Sequence, residues 1–306
     1  MTGAPMLLRL GHSPDPDDAF MWWPLLAEEA RPAPVADPRF RFEVVPLDIE
    51  RLNRRAETSA IEDCLEVSAL SCACYPRVAH RYVLTACGSS VGEGYGPKLV
   101  ARPGRDLASL TGARVAVPGR RTTAFVTASL LLGVGRFEPV EVEFDQIEQA
   151  TAAGEVDAGV VIHEGQLTFE RHGLELLVDL GAWWRERTGL PLPLGANAVR
   201  RDLVDRLGGG AASLSALLRR SVEHAIDHRE ESIRRALVFA RGLERELADR
   251  FVGLYVNRWT LDYGPVGRRA VARLLLDAGR AGLVPRLSEV EFLGPEGTVV
   301  ERLEGG

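Results

Sequence analysis

Ala158-Gly159-Val160-Val161-Ile162-His163-Glu164-Gly165 is the stretch on which the fold turns. Five small or β-branched apolar residues in a row suit a strand covered on both faces. His163 stands where that strand should stop. In open α/β sheets, ligands bind in the crevice outside the carboxyl ends of the strands. An imidazole there, with a reference pKa of about 6.5, exchanges protons near neutral pH. The same position also suits a histidine that only caps the strand or bonds a neighbouring loop.

Outward from this strand, one pattern recurs: a short apolar strand, a polar turn, then an apolar-periodic helix. Toward the amino terminus it reads as a strand at Leu7 to Gly11, a turn from His12 to Asp18 and a helix from Ala19 to Ala30. Next come a β-type stretch at Phe40 to Pro46, a helix from Ile49 to Ala56, a strand from Leu65 to Leu70 and a helix from Ser71 toward Ala79. A second block opens near Lys98, with strands at Leu99 to Arg102, Arg114 to Val117, Val140 to Phe144 and Leu176 to Leu180. Helices are expected there at Asp106 to Gly112, Thr123 to Leu132 and Ile147 to Ala153. Pro191-Leu192-Pro193-Leu194-Gly195 reads as a connection, and the remainder reads as helical. Alternating strands and helices argue for an α/β fold with parallel sheets. Two connections, near 97 and 194, enclose the central block, so the expected lobes are 1–97 with 195–306, and 98–194. That is a two-lobed clamshell with a ligand crevice between the lobes.

The 306 residues suffice for two lobes, and 46% hydrophobic with 26% charged residues is ordinary for a globular protein with a sizeable core. A formal charge of −6, with no basic stripe interleaved with aromatics, leaves nucleic-acid binding nothing electrostatic to rest on. No secretory leader and no stretch of roughly 18 apolar residues is seen, so a cytoplasmic protein that makes no membrane contact is expected. Lys98 is the sole lysine and sits in a linker-like stretch, which makes Schiff-base chemistry a poor reading. Cys64, Cys72, Cys74 and Cys87 include one C-x-C pair but no second pair or nearby histidine to complete a zinc set. Buried, reduced thiols are expected.

Four strand-to-helix junctions point toward one crevice. The first, Ser13-Pro14-Asp15-Pro16-Asp17-Asp18, offers helix caps, or a crevice wall in which Ser13 and Asp18 touch a ligand. Its three carboxylates match no calcium-loop spacing, and no metal is expected. The second, Ser68-Ala69-Leu70-Ser71, sets two hydroxyls beside exposed amides; capping alone also explains Ser71. The third, Pro118 to Ala124, opens an apolar helix with Thr122 and Thr123, and a helix start is an anion site. A small-molecule carboxylate is its natural guest. His163 supplies the fourth. In Gly181-Ala182-Trp183-Trp184, one indole is expected to face the crevice, and His12 is a weaker proton-transfer candidate.

At these residues the chain resembles the futalosine-pathway menaquinone biosynthesis family, and within it the 1,4-dihydroxy-6-naphthoate synthase branch. The motifs are Val117-Pro118-Gly119-Arg120 with Thr122-Thr123, Gly154-Glu155-Val156-Asp157-Ala158-Gly159, Ile162-His163-Glu164, and Asp179-Leu180-Gly181-Ala182-Trp183-Trp184 through Thr188-Gly189-Leu190-Pro191. The resemblance implies a fold like the type II periplasmic binding proteins. It implies a carbon–carbon lyase that converts cyclic dehypoxanthine futalosine to 1,4-dihydroxy-6-naphthoate and a three-carbon sugar fragment, with no metal or organic cofactor. It carries the proton acceptor onto His163, and substrate contacts onto Ala69, Leu70, Ser71, Thr122 and Thr123. The related chorismate dehydratase branch is not expected to share the histidine motif.

Two departures stand out. The family's first loop usually reads Ser-Pro-Cys-Pro-Asn-Asp-Thr-Phe, whereas this chain has Asp15, Asp17 and Ala19 at the altered positions; after Leu70-Ser71 it has Cys72 where tyrosine is common. The readings left beside the synthase are a non-catalytic solute-binding module and a paralogous lyase for another carboxylated compound. The sequence leaves the oligomeric state open.

Overall fold

The strand that leads to His163 is the middle of five in the smaller of two sheets. The computed structural model describes residues 4–27, 31–239 and 244–303. The small sheet runs Glu175–Asp179, Lys98–Ala101, Ala158–Val161, Arg114–Val117, Glu138–Glu141. The larger has eight strands along the path Gly297–Arg302, Glu289–Gly294, Tyr82–Thr85, Leu192–Arg200, Val67–Ser71, Met6–His12, Phe40–Pro46, with Ser90–Gly92 also paired to Leu192–Arg200. The chain thus crosses from the large sheet to the small one and back, which gives two lobes on either side of a crevice.

The sheets are mixed, not parallel as expected. Met6–His12 pairs in parallel with both its neighbours, as does Arg114–Val117. The strands that follow each crossing, Lys98–Ala101 and Leu192–Arg200, are antiparallel to theirs. A parallel neighbour needs a covering crossover of a dozen or more residues. A chain arriving from the other lobe has made none, so it can enter against the local direction.

Several expected elements shift. The first helix spans Pro16–Trp22 rather than Ala19 to Ala30, because Pro16 starts it and Pro24 in the following turn cannot donate to it; residues 28–30 lie outside the described residues. The stretch around Pro191 to Gly195, expected as a connection, begins the strand Leu192–Arg200, and Pro193 sits at an irregularity in its pairing with Ser90–Gly92. A hairpin, Glu289–Gly294 with Gly297–Arg302, closes the described chain where only helix was expected. Lys98 is the first residue of a strand rather than part of a linker. Among the described residues no helix is long and apolar enough to cross a membrane.

The helix Ile147–Ala153 packs on the strand Ala158–Val161, all four of whose residues are buried. This layer fixes the direction in which His163 leaves the sheet.

Candidate active site

A cavity of about 690 Å³, counting the part open to solvent, lies between the lobes. The residues named from the sequence as proton acceptor or substrate contacts all line it: Ser13, Asp18, Ala69, Leu70, Ser71, Thr122, Thr123 and His163. Trp183 and Trp184 do not. Trp184 is buried in the core with its Nε1–H on the Pro191 carbonyl, and Trp183 packs against the same cluster. His12 also misses the cavity; its ring is buried against Phe239 and its Nδ1 lies 2.5 Å from the Ser13 carbonyl oxygen.

His163 is buried and adopts φ 58°, the one non-glycine residue with positive φ among those described. Such a conformation costs roughly 1–3 kcal/mol and persists where surroundings enforce it. Both ring nitrogens are engaged. Nε2 lies 3.0 Å from the Phe144 carbonyl oxygen, and the Gly165 N–H donates to Nδ1 over 2.9 Å. The neutral ring therefore carries its hydrogen on Nε2. Burial alone would lower its pKa, but Glu164 first, then Asp15 and Glu148, outweigh that and hold it above the ordinary histidine value.

The threonines are more structural than their spacing implies. Thr122 caps the helix Thr123–Leu132: its hydroxyl accepts from Phe125 N–H at 3.2 Å and donates to the Gly119 carbonyl at 2.7 Å. The Thr123 hydroxyl pins the lobes together, donating to the Leu194 carbonyl at 2.7 Å and accepting from Ala73 N–H at 3.1 Å. What the junction offers an anion is its amides, since the first residues of a helix, here Thr123 and Ala124, have no intrahelical carbonyl to bond. Ser71 is different. Its Oγ accepts from Asn53 Nδ2 at 3.0 Å, which leaves its own hydrogen to give.

The first loop is the crevice wall read from the sequence, and it brings in two carboxylates that were given no ligand contact there. Asp15 and Asp17 line the cavity together with Asp18. Asp17 accepts from the Ser90 hydroxyl and Asp18 from the Ser13 N–H, each at 2.8 Å. Burial, and then the neighbouring Asp17, pushes the Asp15 carboxyl up to about 7. Burial likewise raises Asp17, and burial followed by Asp17's charge raises Asp18. Among the described lining residues His163 is the only one able to carry positive charge. An anionic ligand in this cavity would meet amides, hydroxyls and an imidazole, not arginine or lysine. Among the described residues no group of three or more His, Cys, Asp or Glu is placed to hold a metal ion.

The lobes touch around the cavity. Tyr255 of the helix Arg245–Tyr255 donates to Gln166 Oε1 at 2.7 Å, and both line the cavity. On the opposite side Arg121 N–H donates to Glu50 Oε2 at 3.2 Å, and its guanidinium pairs with both Glu50 and Glu57. Neither contact is visible as a motif, because the partners are far apart in sequence.

The protein family described as menaquinone biosynthesis matches this chain over residues 8–279. The 1,4-dihydroxy-6-naphtoate synthase of Thermus thermophilus is 45% identical over 277 residues, which is 90% of this chain and 95% of that one. A solved structure of a protein from Archaeoglobus fulgidus is 40% identical, with a TM-score of 0.78 over 91% of this chain and 98% of that one. The alkanesulfonate-binding protein of Xanthomonas axonopodis pv. citri, at 14% identity, has a TM-score of 0.65 over 93% of this chain and 96% of that one. That likeness concerns the fold alone, a two-lobed binding-protein clamshell.

Proposed function

The chain belongs to the menaquinone biosynthesis family, and we propose that it is the lyase that converts cyclic dehypoxanthine futalosine to 1,4-dihydroxy-6-naphthoate with release of a three-carbon sugar fragment. The observation that carries the reading is the buried His163 in the wall of an interlobe cavity that also contains a free helix start.

In this proposal the substrate carboxylate lies at the amides of Thr123 and Ala124, with the Ser71 hydroxyl donating to it. Ala69, Leu70 and Thr122 form the wall beside it, and Ser13 and Asp18 hold the far loop in shape. His163 takes the proton that starts fragmentation, and the electron pair left behind drives carbon–carbon cleavage. Taking that proton on Nδ1 replaces the Gly165 N–H bond, and Glu164 Oε2, 3.4 Å away, becomes its acceptor. General-base assistance of this kind supplies about 10²–10⁴-fold. Closure of the lobes, 98–194 against 1–97 with 195–306, excludes water from the reaction. A cytoplasmic setting goes with the proposal and is supported by four cysteines that stand unpaired and buried.

The test is a product assay with purified protein and cyclic dehypoxanthine futalosine. Release of the naphthoate supports the lyase. Tight binding without product at any pH makes the protein a solute-binding module. Turnover only of a different carboxylated compound makes it a paralogue, whose changed specificity the aspartates at 15 and 17 would explain.

A further inference from the structure

Glu148 is a carboxylate with a poor reason to be buried. It is the second residue of the helix Ile147–Ala153, is 5% exposed and does not line the cavity. Removing a carboxylate from water is unfavourable unless a cation or several donors meet it. The Thr168 hydroxyl bonds it, and among the described residues its one ion-pair partner is His163, whose Nε2 lies 3.9 Å from Glu148 Oε2. The approach is tight: a Cβ on Gly165 would stand 2.5 Å from the same oxygen and 2.7 Å from the other. Residue 165 must therefore lack a side chain for the carboxylate to lie against the turn that carries the histidine.

The Nε2 edge of the ring thus faces the Phe144 carbonyl and Glu148, neither of which lines the cavity. With its hydrogen on Nε2, the neutral ring has its lone pair on Nδ1, so a proton is taken there once the Gly165 N–H gives way. We propose that Glu148 is a positioning residue for His163: with the Phe144 carbonyl it holds the ring by Nε2, so that Nδ1 takes the substrate's proton and the resulting imidazolium is held between Glu148 and Glu164. The inference rests on the reading of His163 as the base. The proton passes from substrate to Nδ1, the bonding pair stays on the substrate, and nothing else is gained or lost.

The charged and titratable groups around the ring come from each element packed on it. Glu164 adjoins it in its own segment, at 3.4 Å from Nδ1. Asp15 faces it from the first loop and Glu148 from the helix below. His172 acts on Glu148 from the next turn, and Tyr255 covers the segment through Gln166. Three carboxylates thus favour the charged ring, and Glu148 alone does so from behind.

The experiment is a titration of the His163 ring by ¹⁵N NMR in wild type, Glu148→Gln and Glu148→Asp, with His163→Asn to assign the signal. The neutral wild-type ring should be the Nε2–H tautomer. Removing an opposite charge this close lowers a pKa by about one unit or more, so Glu148→Gln should weaken proton affinity about tenfold. The acid limb of kcat/KM should move down by the same amount, with KM little changed. Glu148→Asp, which keeps the charge at longer reach, should lie between the two and stands in if the glutamine variant fails to fold. An unmoved midpoint in a folded variant, or an Nδ1–H tautomer, overturns the proposal. A midpoint that moves while the acid limb stays removes His163 from the role of base, and the inference with it.

Discussion

Gly119 and Glu50 face each other across the two lobes so closely that a Cβ on the glycine would stand 2.4 Å from the carboxyl carbon. Gly119 has φ 140°, a conformation side chains rarely adopt, and it begins the turn that presents Arg121 to the same carboxylate. Burial raises the Glu50 pKa, while Arg54 and Arg121 oppose that rise. The glycine is there because the lobes meet there.

Gly119→Ala should therefore hinder closure more than folding of either lobe. Strain of roughly 1–3 kcal/mol is expected at such a position, and 1.4 kcal/mol is about tenfold in an equilibrium. We expect KM to rise about tenfold or more with kcat less affected, as read by steady-state kinetics. An unchanged KM would mean that this seam plays no part in closure.

The two threonines should separate. Thr122→Val removes a helix cap, which costs about 0.5–2 kcal/mol of stability, and should lower the melting temperature while ligand affinity holds. Thr123→Val removes a hydroxyl bonded to Leu194, at the passage between lobes, and to Ala73 of the other lobe, and should weaken affinity severalfold with a smaller thermal effect. Paired calorimetry and thermal unfolding would show it; equal effects in both assays for the two variants would contradict the division.

His163→Asn is the apt probe of the base, because asparagine, like histidine, tolerates positive φ better than most residues. Affinity should stay within a modest factor while turnover falls about 10²–10⁴-fold. In wild type the rate should fall as pH drops through the histidine pKa, which is held above its ordinary value. Wild-type turnover in the variant would exclude the imidazole from the reaction.

Asp15 makes the opposite kind of prediction, about stability. Its folded pKa of about 7 lies above the ordinary 3.8, so between those values the folded state binds more protons than the unfolded one. Stability from this group is then fully present below about pH 4 and is lost as pH rises through about 7. Asp15→Asn should melt higher than wild type at pH 8, with the difference shrinking toward pH 5. Thermal unfolding at the two pH values tests this, and a difference that grows on acidification would reverse the assignment.

Much of the architecture was visible as strand, turn and helix in succession, since buried strands carry unbroken apolar runs. The strand Leu192–Arg200 was hidden by Pro191 and Pro193, which resemble a linker until the register irregularity opposite Ser90–Gly92 is seen. The final hairpin did show a signal, Gly294-Pro295-Glu296-Gly297 between β-rich stretches. His163 and the two threonines could be picked out because strand ends and helix starts are marked locally. The role of the Thr123 hydroxyl could not, since its partner Ala73 lies in the other lobe, whereas the Thr122 cap is made by its own junction. Asp15 and Asp17 stood out only as departures in the first loop, and Glu148 looked like an ordinary acid near a helix start, where acids are common. Only burial beside one another, or behind a histidine, distinguishes them.

Lys98, the sole lysine, heads the strand that enters the small lobe and forms an ion pair with Asp179 of the neighbouring strand. A lysine-specific protease therefore has one cleavage point, which divides the chain into 1–98 and 99–306 at the passage between lobes. While Lys98 is paired into the sheet, the cut is available only to molecules whose small lobe has opened locally. Cleavage rate then measures that opening without any label, and the loss of the intact band to two fragments on a gel is the whole readout.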